Sequence, residues 1–113
     1  MNLLDYQHRA ARTLNYDEKA GPTPLAVAVA GLGIAGEAGE VADMLKKHVG
    51  HGHALDMGKL SKELGDVLWY VAAVATMHGL SLDEVAVVNL NKLQARYPNG
   101  FSEADSIARR DAP

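Results

Sequence analysis

From Leu64 to Leu82 the chain carries one formally charged side chain, Asp66, in a run that is otherwise apolar or small. Leu64, Val67, Leu68, Trp69, Val71 and Val74 would cover more than half the circumference of a helix, and a helix apolar on so many sides must be buried on most of them. Hydrocarbon or the interior of a helical assembly would do this. The run is marginal against the roughly 20 residues that a membrane span needs. It also contains Asp66, His78 and a Gly79 to Ser81 break. No membrane association is expected, and the run is predicted to be an inner helix of an all-α protein.

The flanking sequence supports the same class. Leu3, Leu4, Ala10, Ala11 and Leu14 recur at helical spacing, and Gly21, Pro22 and Pro24 then mark a loop. A second, longest helix is predicted from Leu25 to about Val49, ended by Gly50-His51-Gly52-His53. The third spans about Asp56 to His78. Ser81-Leu82-Asp83-Glu84 has the form of a capping box opening a fourth, which Pro98-Asn99-Gly100 stops after Arg96. The tail from about 101 to 113 is polar and is expected on the surface or on a partner chain. With 113 residues, one domain over 1–113 is expected. The 11 Lys and Arg are scattered and the net charge is -3, so no nucleic-acid partner is expected. Cysteine is absent, and Met1 to Leu14 lacks a signal-peptide apolar stretch. Cytoplasmic residence is the expectation.

Two acidic pairs carry the chemistry. Glu37 and Glu40 lie three positions apart on the second helix, and Glu63 and Asp66 repeat that spacing on the third, so each pair shares a helical face. Ile34, Ala38, Val41 and Leu45 form an apolar stripe beside the first pair, and Leu60, Leu64, Val67 and Val71 beside the second. Antiparallel packing along these stripes would bring four carboxylates together. Gly36 and Gly39 flank the glutamates, where close helix approach would justify their cost of roughly 1 kcal/mol each. A site of carboxylates without His or Cys is hard and oxygen-rich, which favours Mg²⁺, with Mn²⁺ as a substitute, over zinc. A di-iron centre would need histidines three positions beyond its glutamates, whereas positions 40 and 66 hold Glu and Asp. His48, His51 and His53 flank flexible glycines and are expected in a solvated loop.

Three segments, Gly36-Glu37-Ala38-Gly39-Glu40-Val41, Glu63-Leu64-Gly65-Asp66-Val67-Leu68-Trp69-Tyr70 and Asn89 through Lys92-Leu93 to Arg96-Tyr97-Pro98, together resemble the MazG-type nucleotide pyrophosphohydrolases. The similarity extends from about Tyr6 to Phe101. It implies the all-α nucleoside triphosphate pyrophosphatase fold, with a four-helix bundle-like protomer completed by oligomerisation. It also implies magnesium-dependent cleavage of a (deoxy)nucleoside triphosphate to monophosphate and pyrophosphate, in a nucleotide-pool house-cleaning role. By position, Glu37, Glu40, Glu63 and Asp66 match the family's metal ligands.

Asn89, Lys92 and Arg96 share a face of the fourth helix at helical spacing and could meet the β- and γ-phosphates. Tyr70, four residues past Asp66, stacks on the carboxylate line and is the candidate for touching the nucleotide, while Trp69 points about 100° away. The apolar surfaces of helices two and three exceed what one layer of neighbours covers, so a homodimer or a dimer of dimers is expected. Two alternatives stay open. A phosphoribosyl-ATP pyrophosphohydrolase would share the fold and the metal site, and a non-catalytic helical interaction or regulatory dimer would share the fold alone.

Overall fold

The computed structural model describes residues 1–112, and these form five helices in the order α1 (Leu3–Ala11), α2 (Pro24–His51), α3 (Met57–Met77), α4 (Leu82–Arg96) and α5 (Glu103–Ala108). The all-α class stands. Local chemistry explains the boundaries. Asn2 and Asp5 form a reciprocal capping box on α1, and the Thr23 hydroxyl accepts from the Ala26 N–H with Pro24 at the first turn of α2. Gly52, at φ 73°, closes α2 in the left-handed conformation that only glycine adopts cheaply. Asp56 caps α3. At α4 the Ser81 hydroxyl accepts from the Asp83 N–H, without the reciprocal Glu84 contact that the sequence pattern suggested. The polar tail contains the short α5, capped by Ser102 and packed on α4.

The principal interface is an antiparallel hairpin of α2 and α3. Its register is visible at Gly33, where a Cβ atom would fall 2.1 Å from Tyr70 Cε1. The Tyr70 ring therefore rests on bare backbone. Gly36 and Gly39, expected at the close approach, have nothing within 4 Å of where a side chain would start. From the Gly33 contact, alternating steps of three and four residues bring Ala30 opposite Ala73, Glu37 opposite Asp66 and Glu40 opposite Glu63. This is the seam geometry of an antiparallel coiled coil. Ala30 and Ala73, each 3% exposed, are its dry part. The predicted stripes are packed only in part: Ile34, Val41, Leu60, Val67 and Val71 are half-buried, whereas Ala38, Leu45 and Leu64 are exposed, and Glu37 meets Glu63 and Asp66 across the seam.

On its other side α3 packs against α1, around Ala72, Ala75 and Leu82 with Tyr6 and Val71 against them. Gln7 is the buried polar residue here. Its side-chain amide donates to the Thr76 hydroxyl (3.1 Å) and the Leu80 carbonyl (2.8 Å), and its carbonyl accepts from the Leu82 N–H (2.8 Å). One side chain thus ties α1 to the turn where α3 and α4 bend by 104°. The bend directs α4 onto α1 and α5, so α4 packs chiefly there and does not close a bundle over α2.

The result is an open protomer. Its radius of gyration is 17.2 Å, against about 13 Å for a compact domain of this length. Its accessible surface is 8073 Å², against about 6,000 Å² for a folded monomer of this mass. Exposed apolar residues include Leu25, Leu32, Val49, Val88 and Leu90. Among the described residues α2 is by length and composition the single helix apolar enough to cross a membrane, and α3 with α4, which contain the Leu64 to Leu82 run, reach that mark only together across their 104° bend. However, α2 carries Glu37 and Glu40 on the face turned to α3, a costly placement in hydrocarbon.

Replacing Gln7 with Leu strands the buried Leu82 N–H and removes the tie across the bend, at a cost of about 2–3 kcal/mol. Thermal unfolding followed by circular dichroism should show a midpoint roughly 10 °C lower. An unchanged midpoint would show that the bend is held elsewhere.

Candidate functional site

The α2–α3 seam changes character one turn beyond Gly33. Glu37, Glu63 and Asp66 each present a carboxylate oxygen within 4.8 Å of the others. Glu37 and Glu63 are half-buried and Asp66 is exposed. Burial, then the charges of Asp66, Glu63 and Glu40, raise the Glu37 carboxyl above its ordinary value. Three anions thus converge without a cation among them. That donor set, all oxygen and all negative, fits a hard divalent ion. Glu40 lies on the same seam but outside the three-way cluster, in the cleft that opens beyond it.

Two clefts flank the carboxylates along α3. On the side of α3's C-terminal end, a cleft of about 280 Å³ is lined by Leu14, Tyr16, Val29, Trp69, Tyr70 and Met77, with Asn15 and Thr23 as polar members. Trp69 stands edge-on to Tyr70 at 4.9 Å, and its indole N–H donates to the Thr13 hydroxyl at 2.7 Å, which fixes the end of α1 against α3. On the other side, a cleft of about 410 Å³ lies between the end of α2 and the start of α3, with Glu40, Lys47, His53, Lys59 and Glu63 on its walls.

The sequence-predicted residues thus fall into three groups. Glu37, Glu63 and Asp66 come together, with Glu40 beside them. Tyr70 lines the apolar cleft one helical turn from Asp66, and it is also the residue that packs on Gly33. Asn89, Lys92 and Arg96 line neither cleft. Asn89 and Lys92 are exposed. The Arg96 guanidinium donates to both Asp111 carboxylate oxygens, at 2.5 and 2.7 Å, a bidentate fork in which the Asp111 side chain is 5% exposed. Tyr6 went unnoticed in the sequence. It packs against Ala72, Ala75 and Leu82, and burial first, then the charge of Asp66, push its hydroxyl to higher pKa.

The sequence model of the MazG nucleotide pyrophosphohydrolase domain matches residues 29–101, the segment that contains every carboxylate of the cluster. The chain belongs to the MazG nucleotide pyrophosphohydrolase family. A Mycobacterium phage L5 relative, described as Gene 37 protein, is 41% identical over 82 residues, covering 69% of this chain and 72% of the phage protein. No solved structure matches the chain significantly. The MazG segment begins within α2 and ends after α4, so α1 and α5 lie outside it.

The Arg96–Asp111 fork predicts a pH dependence. Hydrogen bonds from Arg96 hold the Asp111 carboxyl down from 3.8 to about 2. A depressed carboxyl stabilises the fold fully above its ordinary value, and that stability is lost as pH falls through the folded one. Urea unfolding should therefore show the pair's contribution intact at about pH 5 and fading between about pH 4 and pH 2. Asp111→Asn should remove that component of the acid dependence. An identical acid profile for the variant would mean that the fork does not form in solution.

Proposed function

We propose that this MazG protein hydrolyses a (deoxy)nucleoside triphosphate to its monophosphate and pyrophosphate, with Mg²⁺ as its cation and Mn²⁺ as a substitute. The observation that supports this best is the convergence of Glu37, Glu63 and Asp66 on the α2–α3 seam, inside the family-matched segment. With Glu40 they would hold the divalent ions. Such ions neutralise phosphate oxygens and make water a better nucleophile, which removes the need for a side-chain nucleophile.

The chain's own groups supply orientation. Tyr70 and Trp69 offer aromatic surface for a nucleobase one turn from Asp66, and Asn15 and Thr23 offer the polar contacts that would choose among bases. The role is house-cleaning of the nucleotide pool, in the cytoplasm where that pool is.

The working unit is a homodimer or a dimer of dimers. Each chain exposes about 2,000 Å² more than a compact monomer of its mass, and that excess from two chains falls in the range of obligate interfaces. Within one chain Asn89 and Lys92 are turned away from both clefts. They reach phosphates only where a second copy brings its α4 to the seam, and Arg96 does so only after release from Asp111.

A panel of nucleoside triphosphates assayed for pyrophosphate, with and without magnesium, tests the activity. Asp66→Ala and Glu40→Ala should each lower turnover by orders of magnitude with the helical content unchanged. In heavy-oxygen water the label should enter the monophosphate. Label in pyrophosphate, or near-normal turnover by either variant, would defeat this reading. Light scattering coupled to size exclusion at about micromolar concentration should give a dimer or tetramer, and an active monomer there would overturn the proposed assembly.

A further inference from the structure

The apolar cleft has one wall built into the helix hairpin and another that must be held in place. Val29, Ala30, Trp69, Tyr70 and Met77 belong to α2 and α3, whereas Leu14, Asn15 and Tyr16 come from the connection between α1 and α2. The hairpin wall is apolar apart from the Tyr70 hydroxyl and the Trp69 N–H, so the connection and the α2 cap Thr23 supply the other polar side chains of the cleft. Hydrogen bonds inside the connection are local: the Gly21 N–H donates to the Asp17 carbonyl and the Lys19 N–H to the Asp17 carboxylate, each at 2.9 Å. Among the described residues, the hydrogen bond that joins residues 12–23 to α3 runs from the Trp69 indole N–H to the Thr13 hydroxyl, at 2.7 Å. Thr13 donates its own hydroxyl proton to the Ala10 carbonyl at 2.8 Å, so its oxygen meets the indole as the acceptor.

Resting on the hydrolase reading above, we infer that Thr13 is a positioning residue for base selection: it holds the Trp69 indole and the wall of residues 14–16 in one arrangement, and so sets which bases the cleft takes. Position along the chain decides between this role and plain docking of α1. That helix is already fastened at Gln7, six residues earlier, through Thr76, Leu80 and Leu82. Six residues of helix span about 9 Å, so the Thr13 bond adds its restraint at the far end of α1, beside the cleft. Leu14 follows directly and lines the cleft, and with Ala10 and Ala11 it also packs on Trp69, with no room between them for a water molecule. Tilting the indole therefore moves Leu14 and, through the edge-on contact at 4.9 Å, Tyr70. Selection among bases needs polar groups held to within about 0.5 Å of the productive geometry, which a connection without a tie to α3 does not provide. Thr13, Asn15 and Tyr16 lie outside residues 29–101, so this control belongs to the chain beyond the family match, while the carboxylates lie within it.

Trp69 is the chain's one tryptophan, so its fluorescence reports the bond directly. Thr13→Val keeps the branched shape and removes the acceptor, whereas Thr13→Ser keeps the acceptor. The emission maximum should shift in Thr13→Val and return to the wild-type position in Thr13→Ser. Isothermal titration calorimetry in magnesium buffer, with the monophosphates of the adenine, guanine, cytosine, uracil and thymine nucleosides, then measures the spread in affinity between the best and the poorest base. Thr13→Val should narrow that spread about three- to ten-fold, the worth of one hydrogen bond, and Thr13→Ser should keep it. Trp69→Phe, which retains an aromatic ring without the N–H, should narrow it equally, and the double variant no further. Unchanged emission or an unchanged spread in Thr13→Val, an equal loss of affinity for every base, Thr13→Ser behaving as Thr13→Val, additive effects in the double variant, or a wild type that does not distinguish bases overturns the inference. The hydrolase reading fails separately, if the wild type releases no pyrophosphate from any nucleotide in the panel, and the binding spread then still decides the role of Thr13.

Discussion

The Tyr70 ring resting on the backbone of Gly33 is the contact that the rest of the site depends on. A glycine inside a helix costs roughly 1 kcal/mol relative to alanine. Here any side chain would collide with the ring, so the cost accompanies a specific separation and register of two long helices. A slip of one turn would place Gly33 opposite Asp66 and take the Tyr70 ring off the bare backbone that accommodates it. The same contact turns one face of Tyr70 to the hairpin and leaves another in the apolar cleft. The aromatic residue is therefore both the spacer of the helices and a wall of the candidate base site.

Much of this was legible in sequence because it is local. Helix ends follow from Thr23, Asp56, Ser81 and Gly52, whose side-chain oxygens or freedom at positive φ act within a few residues. The carboxylate pairs were legible because i, i+3 spacing fixes a shared face whatever the tertiary structure. The packed faces were legible only in part: Ile34, Val41, Leu60, Val67 and Val71 are half-buried, but Ala38, Leu45 and Leu64 are exposed. Assigning the most apolar stripe to the interior holds for a closed monomer. In this chain Leu25, Val29 and Leu32 remain outside while small and acidic residues of α2 meet α3. The glycines could not be ranked for a related reason. Gly31, Gly33, Gly36 and Gly39 are equivalent locally, and only the distant Tyr70 distinguishes one. The Arg96–Asp111 fork and the packing of Tyr6 on Ala72 and Leu82 likewise join segments that no local rule connects.

The core within the chain is small. Its buried apolar residues are Ala30, Ala72, Ala73, Ala75 and Leu82, mostly alanines that bring little area each. Polar ties therefore matter more than in a large core: Gln7 at the bend, Trp69 to Thr13, and Arg96 to Asp111 position α1, α4 and α5 where side-chain packing is thin. An open protomer held by such ties leaves broad apolar faces on α2 and α4. The proposed second copy accounts for them better than a rearranged monomer, because Gln7 fixes the bend that keeps α4 away from α2.

The seam is divided along its length, and the division organises the proposed chemistry. From Met77 to Tyr70 its facing residues are small or apolar, and packing holds the helices together. From Asp66 to Asp56 they are mostly charged, and burial first, then the charges of Asp66, Glu63 and Glu40, raise the pKa of Glu37. The dry half carries the hairpin against that repulsion, so the acidic half can remain in place without collapsing into ion pairs of its own. A cation bound there would relieve repulsion across the very interface that forms the site, and its binding would add to the stability of the α2–α3 hairpin by mass action. Charge neutralisation at the phosphates and cohesion of the helix pair would thus draw on the same four carboxylates.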